Sequence, residues 1–166
     1  MIFHRVIPLF LSALAPLTAA EFPNVPGSDR VLTTMEVKNF WVNHLHNQPL
    51  APEPTRLHPE KAEARSHEIT RRRELIKAIR AGQHDLAARL VCLSHNVEAW
   101  TRQGDTGKAH ESERQLLLVR EHVAKMAALE AQREAAVKIG NAAEQVAQMD
   151  AELQRLQQLQ TQLVQE

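Results

Sequence analysis

Proline is confined to the front of this chain. All eight prolines lie between Pro8 and Pro59, and none follows from Glu60 to Glu166. Proline inside a helix removes a hydrogen bond and clashes with the preceding turn, at about 3 kcal/mol. The proline-free stretch is rich in Ala, Leu, Glu, Gln and Arg, and Trp100 is its one aromatic. Such a stretch is free to be helical nearly throughout. The expected fold is all-α: an N-terminal helix, a proline-rich linker, an antiparallel helical hairpin and a long C-terminal helix that forms a coiled coil.

Residues 1–20 read as a signal peptide. Arg5 supplies the positive start, Val6 to Leu17 the apolar run, and Thr18-Ala19-Ala20 the small residues of a cleavage site. The run is well short of the roughly 20 residues that cross a bilayer. No second apolar stretch follows, so no membrane span is expected once the signal is removed. The expected destination is the periplasm or the extracellular space.

Acidic and basic side chains balance at 20 each. A nucleic-acid binder needs a basic excess to displace counterions, so no nucleic acid is expected as a partner. The densest basic run, Arg71-Arg72-Arg73, is offset by Glu68 and Glu74 and reads as a solvated helix face. Cys92 is the only cysteine, which rules out an intramolecular disulfide framework. It reads as a small buried hydrophobe, or as the bridge of a disulfide-locked dimer.

Pro23, Pro26 and Gly27 predict an extended, mobile lead-in over 21–30. Ser28 or Asp29 can cap a helix over 31–47, to which Phe40 and Trp41 give an apolar plug. Four prolines make 48–59 a stiff linker. The hairpin spans 60–104. Ile69, Leu75, Ile76 and Ile79 mark the apolar face of its first helix, and Gly82 ends it. Leu86, Leu90, Leu93, Val97 and Trp100 form a clean stripe on the second, closed by Gly104.

The long helix takes 105–166. Leu116, Val119, Val123 and Met126 follow one heptad seam; Val146, Met149, Leu153, Leu156 and Leu163 follow another, out of phase with the first. Two readings stay open. An unbroken helix must bury its seams against a partner chain or against the hairpin. Alternatively Gly140 stops the helix, and Asn141 with Glu144 starts a new one as a capping box. Eight glutamines surround the leucines after Gly140, which suits a self-association surface with little charge specification.

Chemistry-bearing patterns are sparse. Cys92 and His95 share a helical face at a spacing that suits zinc or copper. With His44 and His46 they make a candidate ligand set for a divalent transition metal; no other cofactor is expected. No Gly-rich phosphate loop or HExxH pattern occurs, and an enzyme is not expected.

The segment from Phe40 to Leu93 resembles the exported all-helical periplasmic proteins that carry an LTxxQ motif after a histidine-containing first helix. Leu50-Ala51-Pro52-Glu53-Pro54 stands at the motif, without its Thr and Gln, and Glu60 to Leu93 at the hairpin that follows. That family includes heavy-metal sensors and small extracytoplasmic chaperones. The resemblance implies His44 and His46 as metal ligands, or a hairpin face that binds unfolded chains. From the two heptad seams, the expected function is an exported, non-enzymatic interaction or scaffold protein that self-associates, as a homo-oligomer or with a partner helix, through its C-terminal coiled coil. A periplasmic metal-responsive or chaperone-like protein is the alternative.

Overall fold

The computed structural model describes residues 23, 25, 27, 29–50, 60–140 and 143–165. The signal peptide, most of the proline linker and most of the segment compared with LTxxQ lie outside them. The described residues form five helices and no strand: α1 (Thr34–Asn47), α2 (Glu60–Arg80), α3 (Asp85–Gln103), α4 (Thr106–Ile139) and α5 (Ala143–Leu163). The fold is all-α. Among the described residues no helix is long and apolar enough to cross a membrane.

α1 starts at a reciprocal capping box rather than at Ser28 or Asp29. The Glu36 N–H donates to Thr33 Oγ1 at 3.2 Å, and the Thr33 N–H donates to Glu36 Oε2 at 2.8 Å. Thr33 has a glutamate three residues on; Ser28 and Asp29 have Val31 and Leu32 there, so neither can close a box. Val37, Trp41 and Leu45, a 4-residue apolar spacing, give α1 its buried face. That face packs on Ile76 and Ile79 of α2 and on Ala87, Ala88 and Cys92 of α3.

This placement changes the expected hairpin. α1 lies against both α2 and α3, while α3 and α4 are the most closely packed antiparallel pair. The cause is the polarity of α2: only Ile76 and Ile79 are buried, both near its end. The Arg71–Arg73 run is also not simply solvated. Arg72 reaches back to the carbonyls of Gln48 (2.6 Å) and Pro49 (3.1 Å), tying the start of the linker onto α2.

Glycine makes the two sharp turns around α3. Gly82 and Gly104 sit at φ +84 and +79, left-handed values that cost an L side chain about 1 kcal/mol or more. Each turn closes with paired N–H bonds back into the preceding helix: Gln83 to Ala78 and Gly82 to Ile79, then Asp105 to Trp100 and Gly104 to Thr101. This is the Schellman pattern. Asp105 then caps α4 through the Lys108 N–H at 3.0 Å.

The long C-terminal helix is broken. Gly140 takes φ +73 and ends α4, and α5 runs back antiparallel along it. Lys125 pairs with Glu152 at 3.4 Å, and Arg133 with Asp150. The break accounts for the phase mismatch: two separate helices rotate independently to meet, where a single rod would need its coil unwound. Leu116, Val119, Met126, Leu153 and Leu156 are all buried within one chain. Val123 and Leu163 pack partly buried on the cluster of Leu86, Leu93, Leu116 and Val119, and Val146 and Met149 are half-buried. The premise that these seams need a partner chain for burial is thereby corrected.

Candidate functional site

Cys92 and His95, two of the four expected metal ligands, hydrogen-bond the main chain ahead of α1. His95 Nε2–H donates to the carbonyl of Arg30 at 2.9 Å, and Cys92 Sγ–H to that of Leu32 at 3.0 Å. Asn96, one turn after Cys92, completes the arrangement. Its amide accepts from the Leu32 N–H at 2.7 Å and donates to the Leu32 carbonyl at 2.8 Å, as a neighbouring β-strand would. Further along, Arg102 Nε donates to Asp29 Oδ1 at 2.8 Å, and Gln103 bonds the Asp29 carbonyl. Trp41 Nε1–H reaches the carbonyl of Pro23 at 3.2 Å.

One face of α3 thus holds an extended stretch of main chain, and the spacing of 92, 95 and 96 serves that task. The described part of the lead-in is tied down at Pro23, Asp29 and Arg30 by side chains of α1 and α3. His44, on α1, stacks on Phe40 at 6.5 Å between ring centroids, and His46 is exposed. Among the described residues no three His, Cys, Asp or Glu side chains gather as a metal site. Asn96 carried no motif; its only signal was an amide one turn from a cysteine on an apolar stripe.

A different surface remains open. Between α4 and α5, towards the C-terminal end of α5, lies a groove of about 350 Å³, at the lower end of ligand-site sizes. α4 supplies Leu118, His122 and Lys125 to it; α5 supplies Leu156, Leu159 and Leu163. Glu121 and Gln162 complete the lining. Leu118 is 51% exposed and Leu159 39%. α4 leaves these groups outside because its apolar residues spread around the helix: Leu116 and Val119 face inward while Leu117 and Leu118 face out. Heptad spacing marks the inward row, to which Leu118 and Leu159 do not belong.

His122 is buried at the groove, and its Nε2 has no hydrogen-bond partner among the described residues. Burial, with the Lys125 ammonium as the second cause, holds its pKa below the ordinary 6.5. Half-burial lowers that of His84 too, against the opposing pull of Asp85. Both imidazoles are neutral in the folded chain at neutral pH. As pH falls through 6.5 the unfolded chain takes up these protons first, so stability present above that value is lost below it. Urea unfolding at about pH 8 and about pH 5 should show the midpoint falling on acidification. His122→Leu, which removes a buried unpaired nitrogen, should raise the midpoint and flatten its pH dependence. An unchanged slope would exclude His122 as a source.

Comparison with known proteins adds no further constraint. No family model, curated protein or solved structure matches the chain.

Proposed function

We propose that this chain is an exported, non-enzymatic helical interaction protein that works by docking an apolar helix onto its α4–α5 hairpin. The observation that carries the reading is the pair Leu118 and Leu159, exposed on opposite walls of a groove lined by further leucines. Covering apolar surface is worth about 25 cal/mol per Å², and a leucine ridge on a partner helix fits between two helices as a knob fits a hole. The surface differs from the coiled-coil seam expected from the heptads: the seam holds the hairpin together, and the groove beside it does the docking. The strap on α3 supports the same reading, because α1, α2 and α3 then serve as the base on which the hairpin stands.

Sedimentation tests it, with the chain from Glu21 onward, alone and with a labelled amphipathic leucine–glutamine helix. Association in either mixture is expected, and the double variant Leu118→Glu, Leu159→Glu should abolish it at unchanged helicity. A wild-type chain that stays monomeric and leaves the labelled helix free overturns the reading.

A further inference from the structure

We infer that the helix docked in this groove belongs to a second copy of the same chain, lying antiparallel across a two-fold axis that passes α4 between Glu121 and Lys125. The inference rests on the docking reading above and commits it to one occupant.

Charge pattern is the argument. Glu121 and Lys125 both line the groove, one helical turn apart on α4. Across a two-fold axis residue i meets residue j and j meets i. An antiparallel pair centred between 121 and 125 therefore makes two ion pairs: Glu121 with the partner's Lys125, and Lys125 with the partner's Glu121. A parallel pair sets each charge against its like and is disfavoured. Both groups have capacity left. Glu121 makes no ion pair among the described residues. Lys125 touches Glu152 only at 3.4 Å, with its side chain 61% exposed.

Shape agrees with charge. In the same register Leu118 falls opposite the partner's Ala128. Ala128 is exposed and small, so each Leu118 has room against the partner helix. The ends of the contact are polar, with Arg114 opposite the partner's Gln132. This gives the arrangement a polar rim around an apolar centre.

Charge reversal provides the test, because a two-fold contact obeys a mixing rule. Glu121→Lys alone faces Lys125 with a second cation, twice per dimer; Lys125→Glu alone faces Glu121 with a second anion, twice. Each purified variant should self-associate at least about tenfold more weakly than wild type. An equimolar mixture of the two should form a heterodimer, since every reversed charge then meets its opposite. The double variant in one chain should recover the homodimer. Both sites are exposed, and circular dichroism checks that each variant keeps its helices. Single variants that associate like wild type, or a mixture no tighter than its components, overturn the inference. A wild-type chain that stays monomeric while still binding the labelled helix also overturns it and leaves the docking reading standing. A wild type that does neither removes both.

Discussion

Trp41→Ala should remove about 3–5 kcal/mol of folding stability. Trp41 is fully buried and stands where α1 meets both α2 and α3, in the cluster that includes Val37, Ile79 and Cys92. Truncation deletes an indole from that cluster and leaves a cavity that three helices line. It also breaks the Nε1–H bond to the carbonyl of Pro23, the outermost described tie of the lead-in. Domains of this size have totals of about 5–15 kcal/mol, so the loss is a large share. Urea unfolding monitored by circular dichroism measures it. Trp100, at the far end of α3, is then the sole fluorophore and reports separately on the α3–α4 pair. Trp41→Phe keeps most of the packing and loses the hydrogen bond, so it should cost far less. A loss under about 1 kcal/mol for the alanine variant would mean that α1 does not hold the three helices together.

The second large effect is expected at Asn96. Asn96→Ala orphans the buried N–H of Leu32 and takes one of the two donors from its carbonyl. Leaving such groups unpaired costs about 1–3 kcal/mol. Asn96→Asp is the informative partner. It keeps an acceptor for the Leu32 N–H but sets a second oxygen against the carbonyl, so it should not rescue. The strap should then open locally: hydrogen exchange at Leu32 and its neighbours should approach that of a free chain while α4 and α5 stay protected. Uniform acceleration across all helices would show instead that the strap and the hairpin unfold as one unit.

Several parts of this architecture were written locally. Glycine at 82 and 104 marks two helix ends, and at 140 it allows one, because only glycine takes φ near +80 without strain. The stripe from Leu86 to Trp100 and the row from Leu116 to Met126 lie mainly on inward faces, as their 3–4 spacing requires. Asp29 is a competent cap in isolation, yet α1 does not start there. The reciprocal glutamate at Glu36 settles the start at Thr33, and Asp29 is left to bind Arg102 and Gln103.

The candidate site was harder to read. Cys92 and His95 have a spacing that suits a metal, and the same spacing suits a pair of donors aimed at successive carbonyls of an extended strap. Which of the two applies depends on what lies opposite, some 60 residues away in sequence. Leu118 and Leu159 are hidden from the sequence for a related reason. A heptad assigns one row of leucines to the interface, and it cannot see that folding at Gly140 uses up that row and leaves another uncovered.

Proline and glycine fixed where helices are permitted and where they stop, since those limits follow from the backbone of a few neighbouring residues. Apolar periodicity fixed which side of each helix avoids water. Which helix each side meets, the return of α5 along α4, and the binding of the lead-in to α3 were decided only in three dimensions. A stripe specifies a face but not its partner, and the partner is chosen by fit among all the faces the turns bring together.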